Sequence, residues 1–458
     1  MDNRVALIGR NSTKYIDQLL KIWDNGDSAV LLDYHMPIKR IIEIIQDATV
    51  SQCVVEREIY EHWGECVPTG VTFCTYSADM TDRIWINELH SQRFTADYTD
   101  KEAVIIYSSG TTGCSKGIIL SHKAINTNAD SIIEYTKITK NDCLYVIKSL
   151  SHSSTLTGEL LIALKAGAKL VVAHSSLSPQ IIVKELEYYN TTILCLNPRL
   201  LNMLADELSI KQHNLNALRN IYVSGEVIKE KNIRRLREKI CRIPIYNVYG
   251  LSEAGPRVSA QTDSSNRENS VGKPITGVSV VVTNEEGLPI NKGERGIISV
   301  DTPSRFSGYV TGDYKYPSIY MNWLNTGDIG WFDENGELFI TGRYDDLIIA
   351  DAHKIYPNDI EGYILQISGV DDCVVLGIDH DERMVIACIY VAKRTISRIE
   401  FYKALRNELM PYEIPTLYIR LNYMPVNRNG KIDKKEVYKV CLNYLERLNK
   451  KGRLSDES

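Results

Sequence analysis

The stretch YSSGTTGCSKG, residues 107–117, is made almost entirely of small or hydroxylated side chains and contains a single lysine, Lys116. The apolar run EAVIIY (102–107) that leads into it is typical of a short buried strand. The sequence SHKAINTNADSIIEYTKI (121–138) that follows is typical of a helix with Ser121 as its N-cap. We therefore expect the stretch to be a loop that joins a strand to a helix.

The composition of this loop favours an anionic ligand. Its glycines allow the backbone to turn several N–H groups toward one point, and Lys116 adds a positive charge. Hydroxyl donors come from Ser108, Ser109, Thr111, Thr112 and Ser115. The loop is not a Walker motif, because the glycine spacing is too short and no Gly-Lys-Ser/Thr triplet follows. A flexible Ser/Gly surface loop has the same composition, so the loop alone leaves a phosphate site and a surface loop open.

Length and charge narrow the class of protein. A chain of 458 residues is too long for one ordinary core, which predicts two or three domains. The net charge of -5 gives no basic surface for nucleic acid or an anionic membrane, so small-molecule or protein partners are favoured. The ten cysteines form no C-x-x-C pair, and no sufficiently apolar segment for a membrane span or signal peptide occurs. We expect reduced thiols and a cytoplasmic protein.

Strand and helix patterns alternate between residues 102 and 250. Beyond the first loop the predicted strands and helices are AKLVVA (168–173), SPQIIVKELEYY (178–189), TTILCLN (191–197), LRNIYVSG (218–225), KEKNIRRLREKI (229–240) and IPIYNVYG (243–250). Such alternation predicts an α/β fold with helix-covered sheets. Short β-branched runs between turn signals at about 271–341 predict a β subdomain.

A change of pattern near residues 342–346 predicts a domain boundary. We expect an N-terminal domain over residues 1–342 and a small α+β C-terminal domain over residues 343–458. Its polar tail, LNKKGRLSDES (448–458), is expected to fray.

Four more short motifs follow the first loop in a fixed order. They are YNVYGLSEAG (246–255), TGD (326–328), GRYDDLI (342–348) and PVNRNGKIDKK (425–435). Each alone is compatible with an ordinary turn, surface ion pair or hairpin tip. Together, over nearly the whole chain, they resemble the adenylate-forming superfamily of acyl-CoA and aryl-CoA synthetases, peptide-synthetase adenylation domains, luciferase and stand-alone acid-activating relatives. The resemblance implies a large N-terminal domain and a small mobile C-terminal domain.

The resemblance also implies what the motifs bind. ATP and Mg²⁺ are the expected cofactors, and a carboxylate attacks the α-phosphorus of ATP while pyrophosphate leaves. The residues implied in phosphate and nucleotide binding are Ser108, Ser109, Gly110, Thr111, Thr112, Gly113, Lys116, Gly225, Glu226, Asn247, Tyr249, Gly250, Ser252, Asp328 and Arg343.

Four further residues receive roles from the resemblance. Glu253 matches the acid that holds Mg²⁺, a hard oxygen ligand for a hard cation. Lys431 matches the lysine that bridges the substrate carboxylate and the α-phosphate, and Asp345 the hinge about which the C-terminal domain swings. Ala352 stands where the family usually has a glycine that lines the thiol channel. The resemblance therefore supports thioester formation less strongly than adenylation.

The segment SLSHSSTLTG (149–158) bears on the substrate. Amino-acid-activating relatives carry an aspartate here to pair the α-ammonium group, whereas this segment has no acidic residue, so a free α-amino acid is disfavoured. His152 matches a histidine of acyl- and aryl-acid activating members, and its alternative is a core histidine bonded to backbone. We expect a small or medium acyl or aryl acid.

The acceptor of the activated acid is expected to be a phosphopantetheine thiol, of CoA or of a carrier protein. The alternatives are an enzyme that passes the acyl-adenylate to another nucleophile, a non-catalytic nucleotide-binding homologue, and an ordinary kinase or ATPase, which the absence of a Walker motif disfavours.

Overall fold

The computed structural model of the protein describes residues 3–63, 70–78, 84–85, 94–107, 116–173, 178–210, 213–225, 237–238, 243–312, 316, 318–350, 353–380, 383–426 and 432–455. Within these ranges the strands are, in chain order, β1 (Arg4–Ile8), β2 (Ser28–Leu32), β3 (Gln52–Glu56), β4 (Thr72–Tyr76), β5 (Ile84–Trp85), β6 (Glu102–Tyr107), β7 (Gly117–Ser121), β8 (Cys143–Val146), β9 (Lys169–Val172), β10 (Ile193–Leu196), β11 (Asn220–Val223), β12 (Ile245–Tyr249), β13 (Ser259–Ala260), β14 (Lys273–Pro274), β15 (Ser279–Thr283), β16 (Gly296–Asp301), β17 (Gly308–Tyr309), β18 (Leu324–Phe332), β19 (Leu338–Arg343), β20 (Ile348–Ala350), β21 (His353–Ile355), β22 (Val370–His380), β23 (Arg383–Ala392) and β24 (Leu417–Leu421).

Helices cover the sheets and connect their strands. The α-helices are Thr13–Asp24, Ile38–Asp47, Arg57–Trp63, His122–Thr136, Ser153–Thr155, Ile162–Ala166, Pro179–Tyr188, Pro198–Ile210, Pro357–Ile364, Arg398–Leu405 and Lys434–Ser455. A π-helical turn, Leu156–Leu161, joins the two short helices on either side of it into one helical segment. In the described part of the chain, no helix combines the length and the apolar content needed to cross a membrane.

Two large sheets form the first part of the molecule. One has seven strands in the order β17-β7-β6-β2-β1-β3-β4, and the other has eight in the order β14-β13-β12-β11-β10-β8-β9-β5. In the first sheet the neighbouring strands β6, β2, β1, β3 and β4 run parallel to one another. In the second sheet β12, β11, β10, β8 and β9 do so. Their inner faces share one core, which includes Leu7, Val104 and Leu144. This confirms the α/β fold class.

The first loop lies between two strands, which differs from the expectation. After β6 the chain returns as β7, antiparallel to it, and only then enters the helix His122–Thr136. The predicted N-cap is present, because the Ser121 hydroxyl accepts a hydrogen bond of 3.1 Å from the Ala124 N–H. The expected direct passage from loop to helix was therefore wrong: β7 has only five residues, too few for its apolar pattern to be separated from the helix.

The predicted β subdomain is a four-stranded antiparallel sheet in the order β15-β16-β18-β19. Two of its turns contain glycines with positive φ, Gly287 at 79° and Gly336 at 77°, a backbone region that favours glycine. The sheet ends at Arg343, and a single 3-10 turn, Tyr344–Asp346, follows. The division into domains at this turn stays a prediction.

The remaining chain builds a smaller α+β unit. Strands β22, β23 and β24 form one sheet, and β20 and β21 form a two-stranded ribbon. A separate core contains Tyr390 and Phe401, whose rings lie edge to face at 5.1 Å. The last helix continues to Ser455 and so contains most of the tail that was expected to fray.

Candidate active site

Two charged residues of the predicted constellation lie directly opposite each other in the β subdomain. Asp328 on β18 and Arg343 on β19 are register partners, so their side chains project from the same face of the sheet. The Arg343 Nη1 donates to Asp328 Oδ1 at 2.8 Å and to the Thr326 carbonyl oxygen at 3.2 Å. The local strand pairing thus brings two motifs into one ion pair.

Tyr249, at the end of β12 in the second large sheet, joins this pair from the other side. Its hydroxyl donates to Asp328 Oδ2 at 2.5 Å. Burial and the adjoining Asp328 carboxylate raise the pKa of Tyr249 well above its ordinary value, so the phenol stays protonated and remains a donor. Asp328 is therefore held by one donor on each oxygen, and the two sheets meet at its carboxylate.

Tyr316 extends this network toward the predicted hinge. The Arg343 Nη2 donates to the Tyr316 hydroxyl at 2.9 Å, and that hydroxyl donates to the Asp345 carboxylate. Burial lowers the pKa of Arg343, but the Asp328 carboxylate and Tyr316 outweigh it and raise that pKa above its ordinary value. No sequence motif pointed to Tyr316, which lies outside the five short motifs.

A second group surrounds Glu253 on the loop after β12. The Tyr309 hydroxyl donates to Glu253 Oε1 at 2.8 Å. Lys116 Nζ lies over the ring of the same tyrosine, 4.8 Å from its centroid, which is a cation–π geometry. Glu253 and the end of the first loop are therefore brought together through Tyr309, another residue that the sequence patterns did not reveal.

Ser252 connects the Glu253 loop to the helical segment that carries the predicted substrate residues. Its hydroxyl lies 2.6 Å from the Ser153 hydroxyl. His152 is the N-cap of that segment, and its carbonyl oxygen accepts from the Thr155 and Leu156 N–H groups. The loop and the start of the helix thus form one wall.

The close approach of the backbone explains why residue 250 is a glycine. A Cβ at Gly250 would lie 1.8 Å from the Pro256 carbonyl oxygen. The neighbouring Asn247 is buried, and its Nδ2 donates to the Ser270 carbonyl oxygen at 3.1 Å, so this amide helps to fix the loop. Gly225 lies two residues after the end of β11 and has a φ of 104°, a backbone region that favours glycine.

Several predicted residues lie outside the described residues. They are Ser108, Ser109, Gly110, Thr111, Thr112, Gly113, Glu226, Ala352 and Lys431. The described residues of the site are Lys116, His152, Gly225, Asn247, Tyr249, Gly250, Ser252, Glu253, Asp328, Arg343 and Asp345.

The described residues fit a nucleotide with Mg²⁺ better than a metal held by protein alone. Among them, no cluster of three or more His, Cys, Asp or Glu side chains could hold a metal ion. Mg²⁺ is usually bound through one or two carboxylates with substrate phosphates and water, and Glu253 next to the Ser252 hydroxyl supplies such hard oxygen ligands.

Comparison with known sequences identifies the family. Residues 1–310 match the sequence profile of the AMP-binding enzyme family. A feruloyl-CoA synthase of Amycolatopsis sp is 24% identical over 449 residues, covering 95% of this chain and 88% of that protein. Surfactin synthase subunit 2 of Bacillus subtilis is 24% identical over 449 residues, covering 94% of this chain and 12% of that protein.

Solved structures agree on the fold. The structure of ATP-bound MatB from Rhodopseudomonas palustris superposes with a TM-score of 0.85 at 23% identity, covering 96% of this chain and 89% of that one. The o-succinylbenzoate CoA synthetase MenE from Bacillus subtilis, solved with ATP and magnesium, gives 0.78 at 22% identity, covering 94% and 88%. With a profile match over more than half its length, the chain belongs to the AMP-binding enzyme family, within the adenylate-forming superfamily.

Proposed function

We propose that the protein is an AMP-forming acid–thiol ligase. It activates an acyl or aryl carboxylic acid with ATP as acyl-AMP, releases pyrophosphate, and transfers the acyl group to a phosphopantetheine thiol. The observation that carries this proposal is the Asp328 carboxylate, fixed by Tyr249 and Arg343 beside the Glu253 loop.

Asp328 suits the ribose of ATP. Tyr249 donates to one carboxylate oxygen and Arg343 to the other, and a carboxylate oxygen can accept more than one hydrogen bond, including one from a ribose hydroxyl. Because Tyr249 and Arg343 already fix the carboxylate, binding the ribose costs little further ordering of this side chain. The Arg343 guanidinium adds a positive charge on the same side.

Glu253 and Lys116 suit the phosphates. Lys116 provides a cation at the end of the loop, where it offsets phosphate charge. Glu253 would hold Mg²⁺, which when bound neutralises the charge that an approaching carboxylate must meet. Lys431 is proposed to bridge that carboxylate and the α-phosphate, with Asp345 as the hinge of the domain movement.

The surroundings of His152 support a carboxylic acid without an α-ammonium group. The helical segment that His152 caps has Glu159 as its acidic residue, and the Glu159 carboxylate is already paired with Lys148 at 3.0 Å. Among the described residues, this segment therefore offers a buried ammonium group no unpaired carboxylate, and burying that charge without one costs several kcal/mol.

Free CoA is the first acceptor to test. The likeness to feruloyl-CoA synthase spans 88% of that protein, whereas the likeness to surfactin synthase subunit 2 spans 12% of a much longer protein. A carrier protein presents the same phosphopantetheine thiol and is the second acceptor. Replacing Ala352 by glycine tests the thiol channel, because it should raise or preserve thioester formation without changing adenylation.

ATP–pyrophosphate exchange with a panel of acids tests the proposal. We expect an aryl or aliphatic acid to support exchange better than any common α-amino acid, with AMP as the nucleotide product. Glu253→Gln should lower exchange by about 10²-fold, the scale of one lost electrostatic support. The exposed Glu334→Gln serves as a matched control and should leave the rate unchanged.

The outcomes separate the alternatives. Release of ADP would identify a kinase or ATPase, and strong exchange with a proteinogenic amino acid would overturn the proposed substrate class. Nucleotide binding without turnover of any acid would identify a non-catalytic homologue. Exchange without thioester formation from CoA or a loaded carrier would point to another nucleophile.

A further inference from the structure

A buried group of charges lies behind the Glu253 loop, and neither the nucleotide nor the hinge accounts for it. Lys148, just after β8, has its Nζ 3.0 Å from Glu159 Oε1, and the side chains are 10% and 1% exposed. Arg257, four residues after Glu253 on the same loop, is 3% exposed. We call Lys148, Glu159 and Arg257 the charged cluster.

The charged cluster is not neutral. It holds two cations and one carboxylate, and Arg257 and Lys148 are the charged groups that act on Glu159. Burial raises the pKa of Glu159 despite both cations, which further weakens the single negative charge. Burying excess charge costs several kcal/mol per ion unless a partner compensates it.

Arg257 retains hydrogen-bonding capacity. Its Nε is buried and has no hydrogen-bond partner among the described groups, while its side chain also bonds Tyr135. The hydroxyls of Thr155 and Thr157, in the adjoining helical segment, are buried and likewise without a partner there. Several buried polar groups without hydrogen-bond partners so close together are unusual, because nearly all buried polar groups in a packed interior have such a partner.

Hydrogen bonds hold the backbone of Arg257 in place, which limits the positions that its side chain can adopt. Asn128, on the helix His122–Thr136, makes two hydrogen bonds to the backbone of Arg257. The Arg257 N–H donates to Asn128 Oδ1 at 3.0 Å, and Asn128 Nδ2 donates to the Arg257 carbonyl oxygen at 2.9 Å. Gly158 provides room, because a Cβ there would lie 3.1 Å from Arg257 Nη2. The guanidinium thus has a defined place with a glycine beside it.

The charged cluster adjoins the place where the acid substrate reacts. Glu159 belongs to the helical segment capped by His152, and the Ser153–Ser252 contact of 2.6 Å joins that segment to the Glu253 loop. Gly158 of the same segment lies next to the Arg257 guanidinium, so a substrate that reacts beside Ser252 and extends along the segment would bring its far end to Arg257.

We propose that Arg257 recognises a second carboxylate at the far end of the acid substrate. This inference rests on the proposed acid-activating function and narrows its substrate class to dicarboxylates. A guanidinium binds a carboxylate through paired hydrogen bonds, and the incoming charge balances the excess positive charge of the cluster. Lys148 and Glu159 act as positioning residues that keep the cluster ordered.

The test uses straight-chain and benzene dicarboxylates of increasing length, each paired with its monocarboxylate and its half-amide. In ATP–pyrophosphate exchange we expect the best dicarboxylate to exceed both partners in kcat/KM by about 10- to 100-fold, the scale of one charge-assisted hydrogen bond. Arg257→Met should remove that preference and leave the monocarboxylate rate unchanged or higher, whereas Arg257→Lys should keep part of it.

Two further variants keep the result interpretable if Arg257→Met folds poorly. In Gly158→Ala the added methyl group would contact the Arg257 guanidinium and displace it, so this variant should lower only the rate with the dicarboxylate. Arg219→Met removes another arginine from a partly buried pair, with Asp142 at 2.9 Å, and should leave the preference intact. Thermal unfolding of each variant reports whether the fold is maintained.

The two proposals can fail separately. Monocarboxylate exchange without any advantage for dicarboxylates would overturn the role of Arg257 and leave the ligase function in place. If Arg257→Met and Arg257→Lys lowered kcat/KM for the dicarboxylate and for the monocarboxylate equally, the role of the cluster would be structural. Absence of exchange with every acid would overturn both proposals.

Discussion

The contacts around Asp328 differ in kind from those between the C-terminal unit and the preceding chain. Asp328 on β18 is joined to Arg343 on the adjoining β19 and to Tyr249 of the second large sheet by hydrogen bonds of 2.8 and 2.5 Å, and the Asp328 side chain is 10% exposed. Lys354 meets Glu285 at 2.7 Å, but both side chains are about half exposed, at 51% and 49%.

A second ion pair between these two parts of the chain resembles the Lys354–Glu285 pair. Arg295 pairs with Asp359, and both side chains are about one-third exposed. Exposed ion pairs contribute about 0–1 kcal/mol each, whereas a fixed and partly buried network holds its geometry. We therefore expect the Asp328 network to keep its geometry while the C-terminal unit changes its position at small cost, and the predictions below test this.

The largest expected effect tests whether the C-terminal unit really alternates between two positions. Lys431→Ala should slow adenylation by about 10² to 10³, the range for one lost preorganised donor, and should barely change the conversion of a supplied acyl-adenylate to thioester. Rates of the two half-reactions, measured separately, check this.

Asp345→Pro is the matched variant, since a fixed φ near the hinge should hinder the swing and slow thioester formation while adenylation continues. Equal loss of both steps in Lys431→Ala would make the lysine structural and remove the hinge from the mechanism.

An effect of intermediate size tests whether Asp328 and Arg343 act as one unit. Arg343→Met should lower kcat/KM for ATP by about 10- to 100-fold, because Asp328 loses a charge-assisted donor and the site loses a cation. Asp328→Asn should behave similarly, and the double variant should lose less than the sum, since both changes remove one shared interaction.

Arg267→Met is the control for this comparison of the two single variants with the double variant. Arg267 pairs with Asp333 at 2.6 Å beside the same sheet, away from Tyr249. Additive losses for the Asp328 and Arg343 variants would mean that the two residues do not act as a unit.

The smallest effect concerns Lys354. Lys354→Ala should change the free energy of unfolding by less than about 1 kcal/mol and the ratio of the two half-reaction rates by less than about fivefold. The hydrogen bond from Lys354 lowers the pKa of Glu285, so this contribution is present above the unfolded-state pKa and is lost as pH falls through the folded-state pKa. Chemical denaturation of wild type and variant across acidic pH measures it; a large, pH-independent loss would contradict an exchangeable contact.

The motifs of the candidate site could be recognised in the sequence because each is short and contiguous. TGD and GRYDDLI, which look like turns in the sequence, place Asp328 and Arg343 on strands β18 and β19, and Glu253 lies in the turn that follows Tyr249 at the end of β12. The patterns gave no sign of Tyr309, Tyr316 or the charged cluster, because these depend on contacts between segments far apart in the chain. The five-residue β7 was missed since a short apolar run beside a helix carries no period of its own.

The pairing of β18 with β19 has a consequence for how the gene can vary. Asp328 and Arg343 meet only because the number of residues between them matches the hairpin around Gly336. Substitutions within the hairpin can be absorbed one at a time, but inserting or deleting one residue in either strand would turn Arg343 to the opposite face of the sheet unless a further bulge, like the one after Ile329, compensated for it. Length variation is therefore expected at loop tips such as that near Gly287, whereas the chain between Asp328 and Arg343 keeps a fixed count.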